Sequence, residues 1–253
     1  MITDTHAHLF GERFDADREE VIARAHAAGV ERMVVVGTDL ASSRASFELC
    51  AGREGMYPTA GIHPHDAESS DERTRAEIRR LCERAECVAV GETGLDWYRN
   101  LAPREAQLQN FAWHARLAME LGKPLVVHCR EAHEDTLALL REHRGVRGVM
   151  HCYSLGAAEL PHYLDLGMVI SFSGVVTYPK NAALREAARL APLESIVFET
   201  DCPYLAPQTA RGKRNEPAYV REIVADVARL RGMDAGELAR ASSANAARLF
   251  GLS

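Results

Sequence analysis

Eight short apolar runs, each leading through a polar turn into a helical pattern, constrain this chain more than any other feature of its sequence. The runs lie near 2–5, 32–36, 56–60, 88–91, 125–128, 148–151, 168–172 and 196–199. Met33-Val-Val-Val36 and Leu125-Val-Val-His128 are the clearest, short and rich in branched residues. Between the runs, apolar residues recur at helical spacing over 17–28, 71–84, 103–121, 131–141 and 181–190. A further helical tail runs from about 216 to 250 with a break near Gly232. Asp71 before a Glu/Arg-rich turn and Pro103 at a first helical position read as helix starts. Strands that alternate with helices pair in parallel, because parallel neighbours need a crossover between them. Eight such units give a (β/α)8 barrel as one domain over residues 1–253, a common size for that architecture. The alternative, an open doubly wound sheet, is disfavoured because no Gly-rich phosphate loop follows the first strand.

Composition narrows the function classes. The apolar fraction of 47% and charged fraction of 26% are those of a globular protein rather than a disordered or coiled-coil one. The six cysteines form no C-x-x-C pair and read as reduced thiols, with Cys129, Cys152 and Cys202 expected to turn away from the barrel interior and pack under helices. Met1 leads straight into Ile-Thr-Asp-Thr-His with no basic stretch and apolar run, and no segment has the roughly 20 apolar residues needed to span a bilayer. The expectation is a soluble, cytoplasmic protein, monomeric and without a membrane partner. A net charge of −6 argues against a general salt-driven grip on nucleic acid, though not against a local basic patch.

The polar residues fall into order on this frame. His6 and His8 follow strand one, His63 and His65 strand three and Glu92 strand four. His128 ends strand five, His151 strand six and Asp201 strand eight. All sit at the C-terminal ends of strands, the face that carries barrel active sites. His26, His114, His143 and His162 lie elsewhere and read as surface or packing residues. In Asp4-Thr-His6-Ala-His8, residues two apart share a face, so both imidazoles project into the barrel mouth. Imidazoles and carboxylates suit Zn, Mn or Fe and also admit Mg. Six candidate ligands, His6, His8, Glu92, His128, His151 and Asp201, are too many for one catalytic ion with an open position and about right for two bridged by a carboxylate. Glu92, between the glycines of Val90-Gly-Glu92-Thr-Gly94, is the expected bridge, and Asp201 the expected general base. Glu199, two residues earlier, should lie deeper and either orient a ligand histidine or form a buried ion pair.

These motifs resemble the TatD-type metal-dependent deoxyribonucleases of the amidohydrolase superfamily. The resemblance rests on Asp4-Thr-His-Ala-His8-Leu9, Gly61-Ile-His-Pro-His65, Gly91-Glu-Thr-Gly-Leu-Asp96, His128-Cys-Arg-Glu131 and His151-Cys-Tyr-Ser154. It continues through Ser171-Phe-Ser-Gly174, Glu199-Thr-Asp201-x-Pro203-Tyr-Leu205, Arg211-Gly-Lys-Arg-Asn-Glu-Pro217 and Asn245-Ala246, in order along the whole chain. It implies a TIM barrel with two divalent cations (Zn, Mg or Mn) and hydrolysis of DNA phosphodiester bonds, exonucleolytic and preferentially on single strands. The six ligands carry over position by position. Superfamily relatives often bridge their metals with a carboxylated lysine on strand four; Glu92 holds that place here. The implied chemistry is attack by a metal-activated water, with Asp201 taking its proton and Glu92 bridging.

His63 and Arg130 are expected to contact substrate phosphate, together with Arg211 and Lys213 of a basic loop that also includes Arg214; Arg99 and Lys180 are further local cations. Trp97, Tyr153, Tyr178 and Tyr204 are candidates to stack on unpaired bases. The rival reading is a small-molecule amide or lactone hydrolase, or an aminoacyl-ester hydrolase, which predicts a tight apolar pocket in place of an open basic rim.

Overall fold

The computed structural model describes residues 1–252, and among them lie eight strands and nine α-helices. The strands are β1 (Ile2–Ala7), β2 (Val30–Val35), β3 (Met56–Ala60), β4 (Ala89–Asp96), β5 (Leu125–Arg130), β6 (Gly148–Met150), β7 (Met168–Phe172) and β8 (Ile196–Phe198). Each pairs in parallel with the next, in the order β1 to β8. The seam between first and last closes through a parallel bridge from Ala7 to Cys202. Asp201 N–H donates to His6 O at 2.9 Å and His8 N–H to Cys202 O at 2.8 Å across that seam. The expected (β/α)8 barrel is the observed fold.

The helices are α1 (Arg18–Ala27), α2 (Leu40–Cys50), α3 (Glu72–Glu83), α4 (Arg104–Leu121), α5 (His133–Glu142), α6 (Leu160–Leu164), α7 (Ala182–Leu190), α8 (Val220–Arg231) and α9 (Ala235–Phe250). Asp71 caps α3 by accepting Thr74 N–H at 2.7 Å, as its position before the helix implies. The break at Gly232 separates α8 from α9. None of the described helices is long and apolar enough to cross a membrane.

Side-chain alternation sorts the strand residues into two cores. Met33, Val35, Val90, Leu125, Val127, Met150, Ile170, Ile196 and Phe198 belong to the large cluster that packs the helices onto the sheet. Val34, Val126, Val149 and Val197 turn the other way, into the barrel, and pack with Ala246, Leu249 and Phe250 at the end of α9. Two residues beyond three of these valines, on the same face, come His128, His151 and Glu199. A valine layer therefore underlies a layer of polar side chains, two of them expected metal ligands.

Strand β4 departs from the simple alternation. Ala89 belongs to the inner cluster, and a strict period of two would turn Glu92 outward. The β4–β5 register shifts between Val90 and Thr93, which resets the phase and turns Glu92 inward. Glycine makes the close approach possible: Gly94 has φ 137°, and a Cβ there would lie 2.0 Å from His128 O.

Candidate metal centre

Strand ends, not strand interiors, are where the sequence leads one to expect the ligands; the structure moves some of them inward. His6 lies within β1, Glu92 and Asp96 within β4 and His128 within β5, while His8, His151 and Asp201 follow their strands directly or within three residues. β4 and β5 run further than their apolar runs suggest because hydrogen-bonded pairing continues past the last apolar residue, through Asp96 and Arg130.

Glu92 is nearly fully buried and faces two groups of donors. Its Oε2 is 3.3 Å from His6 Nε2, while its Oε1 is 3.1 Å from both His128 Nδ1 and His151 Nε2. On the first side His6 Nε2 and His8 Nε2 converge to 3.1 Å, and Asp201 Oδ1 lies 3.7 Å from the former and 3.3 Å from the latter. The geometry thus brings together all six expected ligands, with one carboxylate shared between two sets.

Hydrogen bonds on the far side of each ring fix which nitrogen faces the centre. His8 Nδ1–H donates to Val36 O at 2.8 Å, leaving the Nε2 lone pair to the centre. His151 Nδ1–H donates to Glu199 Oε1 at 2.9 Å, again freeing Nε2. His128 is turned round: Nε2–H faces Asp96 Oδ2 at 3.2 Å, and Nδ1 faces Glu92. Lone pairs and carboxylate oxygens crowd into one volume, and buried His6 Nδ1 has no hydrogen-bond partner. This donor set of imidazoles and carboxylates, without a thiolate, fits divalent cations.

His63 reads differently. Its Nδ1 accepts the His65 N–H at 3.1 Å, so in the neutral ring the proton sits on Nε2, 3.4 Å from Glu92 Oε1. Burial pushes its pKa down to about 4, which keeps the ring neutral at pH 7. His63 therefore presents a donor rather than a lone pair to the centre, unlike the six ligands.

Burial raises the Glu92 carboxyl, but the surrounding imidazoles of His151, His63 and His6 and the His128 hydrogen bond outweigh it and hold the group well below the usual range. Asp201 is likewise held low: burial opposes, and the His8 hydrogen bond and neighbouring imidazoles prevail. Glu199 occupies the deeper position expected of it, binding His151 and also accepting Cys152 N–H at 2.8 Å and Ser171 Oγ–H at 2.5 Å.

Two further residues carry the arrangement without standing out in the sequence. Asp96 is fully buried and joins His128 to His65, whose Nε2 lies 2.8 Å from Asp96 Oδ2. Glu92, Gly94 and Asp96 fall on one face of β4, a signal that period-two reading past Glu92 would have found. Asp4 accepts Thr200 N–H at 2.9 Å and Thr200 Oγ1–H at 2.6 Å, tying β1 to the segment before Asp201. Burial pushes the Asp4 carboxyl up to about 7.

A cavity of about 910 Å³ opens above the centre, and His63, Arg99, Arg130, Lys180 and Tyr204 line it. Among the described residues these three cations have no ion-pair partner. Arg211 and Lys213 are not on that wall; the Arg211 guanidinium lies over the Tyr178 ring, 4.9 Å from its centroid. Arg214 is paired with Asp17 at 2.6 Å, so the basic loop is less available than its sequence suggests. Cys129 and Cys152 also correct the sequence reading: both reach the cavity wall. Only Cys129 packs toward a helix, 3.9 Å from the Tyr163 hydroxyl, and Cys152 turns to Ser173 Oγ at 3.1 Å because its backbone is left-handed, φ 45°.

A model of the TatD-related DNase family matches residues 3–251. The chain belongs to that family. It is similar to an uncharacterized metal-dependent hydrolase, YabD, of Bacillus subtilis strain 168, 38% identical over 99% of both chains. The 3'-5' ssDNA/RNA exonuclease TatD of Klebsiella pneumoniae strain 342 is 37% identical over 98% of this chain and 97% of its own. In structure, the TatD homologue YJJV of Escherichia coli K12 superposes with a TM-score of 0.94 at 28% identity, covering 100% of this chain and 98% of the other. Membership of the TatD family makes this chain a metal-dependent hydrolase.

Proposed function

We propose that this chain hydrolyses phosphodiester bonds at the ends of single-stranded DNA, with two divalent cations held by His6, His8, Glu92, His128, His151 and Asp201. The observation that carries this reading is one cavity in which Glu92 faces two donor sets while Arg99, Arg130 and Lys180 stand on the wall without ion-pair partners, Arg130 resting 3.9 Å from the Tyr98 ring centroid. Three cations without a carboxylate partner suit a polyanion running past the centre better than a small neutral amide or lactone. The names of TatD relatives, 3'-5' exonucleases of single-stranded DNA and RNA among them, support it.

When bound, two such cations (Zn, Mg or Mn) supply an acidified water and neutralise charge on the phosphate. Glu92 and the histidine pairs would hold them. Asp201 Oδ1, 3.3 Å from His8 Nε2, is placed to accept the proton of the attacking water. His63, neutral and with its Nε2–H toward the centre, would donate to a phosphate oxygen, and Arg130 would add charge to the same group. Arg211 and Lys213 would meet a strand only beyond the cavity.

The test is chelated protein reconstituted separately with Mg, Mn and Zn, its metal content counted, and assayed on single- and double-stranded DNA and RNA beside Asp201→Asn. Two metals per chain and loss of cleavage in the variant are expected. Hydrolysis of amides or lactones with no cleavage of any nucleic acid would overturn the reading in favour of a small-molecule hydrolase.

A further inference from the structure

The four rim aromatics do not have equal roles. Tyr153 is 3% exposed and packs edge-on against Tyr163 and Phe172, with its hydroxyl bound to Gly156 O. Tyr178 gives its hydroxyl to Ala206 O and lies under Arg211. Trp97 donates to Asp135 and carries Arg104 over its ring. Tyr204 alone of the four lines the cavity wall, 53% exposed; its hydroxyl has no partner among the described residues, and the Arg13 guanidinium stands 5.9 Å from its ring centroid, further off than the arginines over Trp97 and Tyr178 at 4.7 and 4.9 Å. Its ring centroid is 6.2 Å from that of His8, in an edge-to-face relation.

An exposed aromatic beside a metal-facing histidine would mean little on a loose loop, but this loop is fixed. Tyr204 N–H donates to Asp201 O at 2.9 Å, and Asn215 Nδ2 donates to Tyr204 O at 2.5 Å and to Thr200 O at 2.7 Å. Leu205, next to it and also exposed on the cavity wall, has φ 52°, a left-handed conformation that a branched residue adopts only where the surroundings impose it. A Cβ on Gly174 would lie 2.0 Å from Leu205 O, so the loop seats directly on the 3-10 turn after β7. The backbone that holds Tyr204 out into the cavity is the same backbone that carries Asp201.

We infer that Tyr204, with Leu205 beside it, is the stacking platform for the base of the terminal nucleotide, the one whose phosphate meets the metal centre. This rests on the phosphodiesterase reading and adds its substrate-recognition element: an unpaired base, of any identity, because every base has a π-face. A duplex end offers that face only after fraying, which gives the preference for single strands a structural origin. Stacking on one aromatic is worth roughly 5- to 150-fold in binding.

The inference is tested on a strand carrying 2-aminopurine at one terminus or the other, with the last linkage a phosphorothioate to slow cleavage, and on a matched strand whose terminal residue lacks its base. In wild type, fluorescence at the degraded end should be quenched on binding, and removal of the base should raise KM roughly 5- to 150-fold. In Tyr204→Ala the quenching and the KM difference between the two strands should both vanish, with Tyr204→Phe restoring them and both variants melting like wild type. Equal quenching in wild type and Tyr204→Ala, or a KM difference that survives the substitution, would overturn the platform while leaving the phosphodiesterase reading intact. Failure of wild type to bind or cleave any strand would remove both.

Discussion

Glu199 Oε1 lies 2.9 Å from His151 Nδ1, on the side of the ring that faces away from Glu92. The carboxylate sits at the floor of the metal centre and sets both the tautomer and the rotation of the ring above it. Glu199→Gln keeps an oxygen for Cys152 N–H but removes the charge behind His151. Metal affinity should fall roughly 10- to 100-fold with the circular dichroism unchanged. Calorimetric titration of the metal-free protein measures this; an unchanged affinity would show that Glu199 is only a structural anchor.

Glu92 touches both donor sets, so its loss should be felt in metal stoichiometry and not only in rate. Glu92→Gln is expected to lower bound metal from two per chain to one or fewer. Activity should fall by more than the roughly 100-fold typical of outer partners. Elemental analysis of the desalted protein gives the first number. Retention of two metals would show that bridging by Glu92 is dispensable.

The salt dependence of strand binding should reveal the wall cations. Replacing Arg99, Arg130 or Lys180 by glutamine should flatten the slope of log affinity against log salt by about 0.7 for each phosphate that the side chain neutralises. A variant that weakens binding with the slope unaltered would show that its cation does not meet the strand ionically.

Acid stability carries the signature of His114. The buried ring accepts Ile62 N–H at 3.1 Å and donates to Asn110 O at 2.8 Å, and burial lowers its pKa from 6.5 to about 4. The unfolded chain then binds a proton more readily, so the contribution is fully present above pH 6.5 and is lost as pH falls toward 4. It amounts to about 3 kcal/mol. His114→Gln should be less stable than wild type at pH 7, and the gap should narrow by pH 4.5. Urea unfolding at the two pH values decides it, and a gap independent of pH would contradict the assignment.

Gly94→Ala should destabilise by at least the roughly 1–3 kcal/mol of an overpacked core, because the new Cβ would meet His128 O. The same displacement moves His128, an expected metal ligand, so melting temperature and metal affinity should fall together. A normal melting curve with weakened metal binding would mean that the strand yields locally.

Much of the architecture is legible in the sequence because a barrel repeats one local rule. The rhythm of apolar run and helix marks the strands, and period two puts His6 with His8 and Glu199 below Asp201. Glu92 stands out from its motif and its glycines, whereas the register shift that turns it inward is a property of pairing with β5 and has no local signature. Asp96 escapes a reading of the sequence because its partners come from elsewhere in the chain, His65 from the 3-10 turn after β3 and His128 from β5. Helix α2 is similarly hard to see: its serines are weak helix formers, and Asp39 with Ser42 builds the capping box that starts it. Charge alone likewise does not tell that, in the basic loop, Arg214 is already bound to Asp17.

The seam of the barrel has a consequence for how the protein is made. His6 and His8 leave the ribosome first, but Asp201 and the Cys202 carbonyl that holds His8 are synthesised nearly two hundred residues later. A nascent chain lacking its last strand would carry Glu92, His128 and His151 but would lack Asp201, the partner of His6 and His8. The donor set that includes Asp201 is therefore complete only after translation has passed the eighth strand and the cylinder has shut.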